Sequence, residues 1–340
     1  MGVDIGSILE KHESSLAELA GKRLAVDAFN TLYQFITIIR QPDGTPLMDS
    51  RGRITSHLSG LFYRTCSLLE KSIHIVYVFD GKPSDLKKRT LDERAAVKRD
   101  AHAKMLEAMK EGDIERAGLL AQRTAKLGSV EVEQSKYLLT LMGVPWVQAP
   151  SEGEAQCAYM AKIGVVDAAA SQDYDTLLFG TPLLVRNLTI AGKKKVPRRN
   201  MVMEIKPEQV YLDESVKKLG ITREKLIWIG LLNGTDFNEG IYGIGPKKAL
   251  KLVQEHDNFD DILKKLDKQM EWREVYELFQ NPPTVNVNAT DVTQKDPDRE
   301  KITKFMVDDF EFSAERVASS LKRAFKDPDD KNQSQLKKWF

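Results

Sequence analysis

The sequence predicts an α/β protein with a mostly parallel central sheet flanked by helices, and three observations carry that prediction. Short apolar runs with β-branched content alternate with stretches of helical periodicity. Each run leads into acidic residues, and a glycine- and lysine-rich turn later in the chain sits between two helical stretches. At 340 residues the chain has room for about two domains, or for one large α/β domain with an appended piece.

The first strand falls in residues 22 to 28 and the second in 73 to 81, leading into Asp27 and Asp80. Between them Leu58, Leu61, Phe62, Cys66 and Leu69 recur at helical spacing, which gives a β-α-β unit with parallel strands. Two further strands fall near 144 to 147 and 165 to 171, and acidic residues again follow each. In open α/β sheets, ligands bind at the carboxyl ends of the strands.

Residues 82 to 126, within a segment running to 130, read as a helical insertion. Its forty-five residues hold nine Leu, Ile, Val or Met and no Phe, Tyr or Trp, too few anchors to bury a long helix. An exposed, mobile element that orders on binding is expected. Residues 183 to 205 read as two strands with a basic tip. Helices dominate from 207 onward, interrupted by loop signals at Pro282-Pro283 and 291 to 298. The resulting division is 1–81, 82–130, 131–221, 222–257, 258–326 and a tail at 327–340.

Lys and Arg number 51 against 50 Asp and Glu, a net charge of +1 that hides segregation. Residues 82 to 126 carry 12 basic and 8 acidic side chains, and 186 to 206 carry seven basic against Glu204. Residues 150 to 180 hold five acidic side chains against Lys162. Basic stretches flanking an acidic one suit a metal-dependent enzyme acting on a polyanion. No apolar run is long enough to span a membrane, and the N-terminus lacks a secretory pattern, so an intracellular chain with no membrane partner is expected. Gly6 stands where myristoylation needs Ser or Thr. Cys66 and Cys157 lie in apolar helical patterns without C-x-x-C spacing and read as reduced core thiols.

Seven carboxylates fall at or beyond strand ends or at helix starts: Asp27, Asp80, Glu152, Glu154, Asp173, Asp175 and Asp236. Singly, each has a plainer reading. Ser151-Glu152-Gly153-Glu154 fits a capping box with Ser151 as N-cap. Asp173 and Asp175 fit a turn after a strand, or, if extended, two carboxylates on one face. Together they would repel one another and hold protons unless divalent cations kept them ionised. The acidic stretches contain no His, and all-oxygen donors suit Mg²⁺ or Mn²⁺. Two such ions about 4 Å apart deliver a hydroxide and stabilise a leaving oxygen in phosphodiester hydrolysis. The chemistry points to a phosphoryl-transfer nuclease.

Two further constellations point to partners. In Gly240-Ile241-Tyr242-Gly243-Ile244-Gly245-Pro246-Lys247-Lys248, the glycines allow a tight turn with outward amides, Pro246 suits the first helical position, and Lys247 and Lys248 open the next helix. Flanked by helices at 222 to 233 and 246 to 256, this is a helix-hairpin-helix signal for phosphate binding without sequence readout. At the C-terminus, Gln333, Leu336, Trp339 and Phe340 would share one face of a helical turn. Large aromatics ending a polar tail fit a docking peptide.

The motifs Val26-Asp27-Ala28-Phe29-Asn30, Val78-Phe79-Asp80-Gly81-Lys82-Pro83, Ala149-Pro150-Ser151-Glu152-Gly153-Glu154-Ala155, Ser171-Gln172-Asp173-Tyr174-Asp175 and Gly234-Thr235-Asp236-Phe237 closely resemble the flap endonuclease family, the XPG/Rad2 structure-specific 5′ nucleases, in its archaeal style. The match runs in order over almost the whole chain. It implies a PIN-like 5′ nuclease fold with a helical arch, and a 5′-flap endonuclease and 5′ to 3′ exonuclease acting in Okazaki-fragment maturation and long-patch base-excision repair. It further implies two Mg²⁺ ions, replaceable by Mn²⁺, one served by Asp27, Asp80, Glu152 and Glu154 and the other by Asp173, Asp175 and Asp236. Lys87 and Arg94 match the family's basic pair on the arch helix, and with Asp80 and Glu152 they would carry catalysis.

Tyr33 matches an aromatic on which a base stacks, against a plain core role. Gly2 would carry the amino terminus to the active site after loss of Met1. With Gly2, Tyr33, Lys87 and Arg94, the residues Gly234, Gly243, Gly245, Lys247 and Lys248 would touch DNA, and K⁺ would sit on hairpin carbonyls. Gln333, Leu336, Trp339 and Phe340 would dock on a sliding clamp, PCNA, with the chain itself a monomer in the cytoplasm or at the nucleoid. Phe237 departs from the family, where many relatives have Tyr. A sibling 5′ exonuclease or bubble-cutting repair nuclease, and a clamp-tethered DNA-junction binder without activity, are the alternatives.

Overall fold

The computed structural model describes residues 2–41, 44–124, 127–195 and 202–325. Among these the strands are β1 (His12–Glu13), β2 (Arg23–Asp27), β3 (His74–Phe79), β4 (Trp146–Gln148), β5 (Ala168–Ala170), β6 (Leu183–Arg186), β7 (Gly192–Lys195), β8 (Val202–Ile205) and β9 (Glu208–Tyr211). Seven of them form one sheet in the order β1-β9-β6-β5-β2-β3-β4, while β7 and β8 make a separate antiparallel hairpin. The five strands from β6 to β4 run parallel, and β9 pairs antiparallel with β6 and β1.

The strands alternate their side chains between two buried faces, as a parallel sheet covered on both sides requires. Leu24, Val26, Ile75, Tyr77 and Phe79 point into one core with α1 (Ala28–Ile38) and α2 (Ser56–Glu70). Ala25, Val76 and Val78 point into another. Along α2, Leu58, Leu61, Phe62 and Cys66 are buried as their spacing predicts. Burial pushes the Cys66 thiol up to about 12 and the Cys157 thiol well above its ordinary value, so both are inert core groups.

After β3, a single turn leads into α3 (Lys88–Lys110), which folds back along α4 (Ile114–Arg123). Along α3 the buried residues are Ala101 and Ala108, while Val97 is 63% and Met109 57% exposed. The thin burial follows from the sparse apolar content, since two alanines offer little surface to bury. The chain returns through α5 (Ser129–Leu141) to β4, and α6 (Gly153–Lys162) joins β4 to β5. The three alanines of β5 leave space for α6 to lie close on the sheet, where Cys157 and Met160 fill the second core.

Two expectations for the second half change. Leu183–Arg186 is not one arm of a hairpin; it extends the parallel sheet as β6, and the hairpin is confined to β7 and β8. Residues 208 to 211 are a strand, not helix. Leu183, Leu184 and Val185 are apolar on both faces, the signature of a buried central strand, and Val210 pairs with Leu184 across the antiparallel join. Short α7 (Asp175–Leu178) and α8 (Leu212–Leu219) flank this part of the sheet. Beyond it, α9 (Arg223–Asn233), α10 (Pro246–Glu255), α11 (Phe259–Lys265) and α12 (Arg273–Gln280) pack around a third core. The loop expected at Pro282-Pro283 crosses behind α6, where Gln156 exchanges two hydrogen bonds with the Val285 backbone. Finally, α13 (Arg299–Thr303), continued by a π-helical turn to Asp309, packs on α5, and α14 (Ala314–Ala324) closes over α2.

Candidate active site

The chain leaves β2 to form β3 and β4 on one side, then crosses back through α6 to place β5 and β6 on the other. This order opens a crevice at the carboxyl ends of the strands around β2, where open α/β sheets bind ligands. Six of the seven predicted carboxylates lie on this edge, and Asp236 reaches it from the loop after α9.

Asp27 ends β2 and caps α1, accepting from the Asn30 amide at 3.0 Å. Asp80, one residue past β3, accepts from the Gly153 amide at the start of α6 at 2.7 Å. Glu154 accepts from Ser171 Oγ at 2.6 Å and from Thr176 Oγ1 at 3.3 Å. Asp173 accepts from the Gly2 amide at 3.2 Å and from Asn30 Nδ2 at 3.0 Å, and Asp175 accepts from the Val3 amide at 2.6 Å. Gly2 has no room for a side chain: a Cβ there would stand 2.8 Å from Asp173 Cβ and 3.1 Å from Asp175 Cγ.

The capping-box reading of the first acidic motif falls away, and of the two readings of the second the turn after a strand stands while the extended one does not. The N-cap of α6 is Glu152 rather than Ser151, with no side-chain cap bond, and Glu154 turns inward to Ser171 instead of back to the cap. Asp173 and Asp175 are not on an extended strand; Asp173 lies in the bend after β5 and Asp175 opens α7. The N-terminal segment threads between them and offers one amide to each.

Burial and mutual repulsion act on this cluster in one direction. Burial, then Asp80 and Asp173, push Asp27 up to about 8 against the Asn30 amide. Burial and then Glu152 push Asp80 up to about 6. Asp175 rises to about 7 through burial, with Asp236 and Asp173 adding to it despite the Val3 amide. Glu154 is held well above its ordinary value by burial, then by Asp173 and Asp175. A cluster that resists its own ionisation is matched by cations, and all its donors are oxygen, the donor set of Mg²⁺ or Mn²⁺.

The arch supplies two of those cations itself. Lys87 Nζ lies 2.5 Å from Glu152 Oε2 and 3.5 Å from Asp236 Oδ2, and Arg94 Nη2 lies 2.5 Å from Asp236 Oδ1. Thr90 Oγ1 donates to the Asp236 carbonyl at 2.7 Å, fastening the foot of α3 to the same loop. With Glu152 and Asp236 turned to the arch, Glu154 to the Ser171 and Thr176 hydroxyls and the other four to backbone amides, among the described residues no three His, Cys, Asp or Glu side chains converge on one point.

Tyr33 is half-buried on α1 and is not a core ring; Lys98 of the arch stands over it, 5.1 Å from its centroid. In the hairpin between α9 and α10, Gly234 (φ +96°), Gly240 (φ +71°) and Gly243 (φ +79°) take left-handed backbone that other residues resist. Gly245 is an ordinary extended N-cap facing open space, with Pro246 at the first helical position. The amides of Lys247 and Lys248 lie in that first turn, and Lys248 Nζ donates to the Gly243 carbonyl at 2.9 Å. Phe237 is 7% exposed and packs against Phe179 and Phe279, so this apolar pocket accounts for a residue without the hydroxyl. Gln333, Leu336, Trp339 and Phe340 lie outside the described residues. Ser171, Thr90, Lys98 and Asn30 went unassigned in the sequence, although Asn30, three residues past Asp27 at a helix start, carried a spacing signal.

Comparison with known proteins agrees with this geometry. The XPG N-terminal domain matches residues 1–101 and the XPG I-region residues 143–236. Flap endonuclease 1 of Pyrococcus abyssi is 52% identical over 343 residues, covering 100% of this chain and 98% of the relative. The solved flap endonuclease-1 of Methanococcus jannaschii superposes with a TM-score of 0.74 at 42% identity, over 95% of this chain and 98% of that one. The catalytic core of Rad2, solved with a DNA substrate, shares the fold at 22% identity, with a TM-score of 0.68 over 94% of this chain and 97% of that one. The carboxylate crevice, the helical arch over it and the hairpin beside it therefore belong to a member of the flap endonuclease family of XPG-type nucleases.

Proposed function

We propose that this chain is a metal-dependent, structure-specific nuclease that removes 5′ flaps from branched DNA, with 5′ to 3′ exonuclease activity, in Okazaki-fragment maturation and long-patch base-excision repair. The observation that carries the reading is the meeting of Lys87 and Arg94 of the arch with Glu152 and Asp236 of the carboxylate crevice.

Asp27, Asp80, Glu152 and Glu154 would hold one Mg²⁺, and Asp173, Asp175 and Asp236 a second. Such ions supply a hydroxide at neutral pH and neutralise the leaving oxygen of a phosphodiester. Lys87 and Arg94 bring positive charge to the place where a scissile phosphate would lie, and stabilise the negative charge that develops on it. Tyr33 offers a ring face to the base beside that phosphate. Gly243, Gly245 and the α10 amides, with Lys247 and Lys248, hold the phosphates of the duplex, and Gly234 shapes that loop. Backbone carbonyls of the hairpin would hold K⁺. Rad2 is solved with DNA, and branched DNA is the substrate proposed here. Among the described residues no helix is long and apolar enough to cross a membrane. Work on replicating DNA would put the chain inside the cell, in the cytoplasm or at the nucleoid. It acts as a monomer, and residues Gln333 to Phe340 tether it to a sliding clamp.

The deciding experiment is a labelled double-flap DNA with a 3′ flap of about one nucleotide, incubated with Mg²⁺ and with EDTA. A uniform product cut at the junction, present with Mg²⁺ and absent with EDTA, supports the reading; no metal-dependent cutting overturns it. Deleting Gln333 to Phe340 should leave intrinsic cutting intact and abolish clamp stimulation, and stimulation that persists would refute the tether.

A further inference from the structure

A chain of side-chain hydrogen bonds runs from the root of the β7–β8 hairpin to Asp173. Thr189 Oγ1 donates to Gln34 Oε1 at 3.0 Å, Gln34 Nε2 donates to Asn30 Oδ1 at 3.1 Å, and Asn30 Nδ2 donates to Asp173 Oδ2 at 3.0 Å. The carboxylate end dictates its polarity. Asn30 turns its NH₂ to an Asp173 oxygen, which leaves the Asn30 carbonyl needing a donor. The Gln34 NH₂ meets that need, and the Gln34 carbonyl then takes the Thr189 hydroxyl.

Local structure sets the spacing. Asn30 and Gln34 are four residues apart on α1 and share one face of it. Thr189 is 6% exposed and sits in the turn Leu188–Ile190, after the left-handed Asn187 (φ +61°) and just before β7. Arg64 Nη1 donates to the Ala191 carbonyl at 3.0 Å, pinning the same root from α2. The far end of the relay is therefore a fixed point. At the near end the Gly2 amide holds the other oxygen of Asp173, so the carboxylate is gripped from two sides.

We propose that Asn30 is a positioning residue for Asp173, held in register by Gln34 and Thr189, so that the hairpin root sets the orientation of this carboxylate. The inference rests on the reading of Asp173 as a metal ligand. Without the Asn30 donor the carboxyl group keeps only the Gly2 amide and gains freedom to turn about its last bond, and a ligand that must first be oriented binds a cation more weakly.

The test measures Mn²⁺ affinity of the full chain by electron paramagnetic resonance of free Mn²⁺, alongside thermal melting, for wild type, Asn30→Leu, Thr189→Val, Thr189→Ser and the Leu–Val double variant. Asn30→Leu should weaken Mn²⁺ binding about tenfold, the low end of what is lost when a group behind a metal ligand is removed, and Thr189→Val, two hydrogen bonds further from the ligand, should weaken it less, roughly threefold. Thr189→Ser keeps the hydroxyl and should bind as wild type does. The double variant should be no weaker than Asn30→Leu alone, because a relay already broken at Asn30 has nothing left to transmit. Wild-type affinity in Thr189→Val, or single effects that multiply in the double variant, would overturn the relay. If Asn30→Leu fails to fold, the contrast between Val and Ser at 189 decides the matter alone. Absence of Mn²⁺ binding to the wild-type chain would instead overturn the metal reading, and the relay's role with it.

Discussion

Lys87 Nζ lies 2.5 Å from Glu152 Oε2, joining the foot of the arch to the start of α6 across the carboxylate crevice. Burial by itself would lower the Lys87 ammonium, but Glu152, Asp236 and Asp80 outweigh it and hold the group above its ordinary value. The lysine is therefore a fixed charge that does not titrate in the working range. Lys87→Ala should cost about 10² to 10³ in single-turnover cleavage rate, the usual loss when one donor to a developing oxyanion is removed. Flap-DNA binding in EDTA should be largely kept, because duplex contacts lie in the separate hairpin. A cleavage rate within twofold of wild type would show the ion pair to be structural.

Asp80 and Asp173 follow β3 and β5, the strands on either side of β2, and each is held by a backbone amide. Replacing either by Ala should abolish cleavage while leaving binding of flap DNA near wild type by fluorescence anisotropy. Parallel loss of binding and cutting would mean that these carboxylates support the fold rather than the chemistry.

The raised carboxylates give the metal-free protein an unusual pH dependence. Asp27 rises to about 8 and Asp175 to about 7, so the folded state holds these protons more tightly than the unfolded chain does. By linkage, stability then grows as pH falls through those values and is lost as pH rises through them. Below pH 6.5 His57 works the other way: burial lowers it to about 4, so its contribution is lost as pH falls from its unfolded value toward that figure. Melting in EDTA should thus rise from pH 8.5 to 6.5. Mg²⁺ should flatten this slope and release protons into a weak buffer near pH 7.5, measurable with an indicator dye. Melting that is independent of pH in EDTA, with no proton release, would contradict the assignment.

Gly2 has no room for a methyl group between Asp173 and Asp175. Gly2→Ala must push one carboxylate aside, and a displacement on the order of 1 Å at a reacting centre can cost about 10²-fold in rate. Cleavage should fall by about that much, while far-ultraviolet circular dichroism stays unchanged. Undiminished cleavage would show that the N-terminal segment does not set the site.

The carboxylates and the hairpin turn were legible because their signals are local. An Asp closing an apolar run, or a Gly-x-Gly before Pro246, can be read within a few residues. The capping-box reading of Ser151 to Glu154 shows the limit of that locality: the spacing fits, but Ser171 lies 17 residues away and draws Glu154 inward. Likewise, Leu183 to Arg186 has the apolar content of a strand in either a hairpin or a sheet, and its place beside β5 and β9 decides between them.

By itself the sequence determined the donor types, their order along the strands, the thinly anchored arch and a charge balance of 51 against 50 split into basic and acidic stretches. Only the tertiary structure decided which charges meet. Lys87 reaches Glu152 across 65 positions, Arg94 reaches Asp236 across 142, and Val3 reaches Asp175 across 172. The physical reason is that propensity and periodicity act over a few residues, whereas pairing charges and orienting a carboxylate depend on contacts that exist only once the sheet order has brought remote segments to one edge.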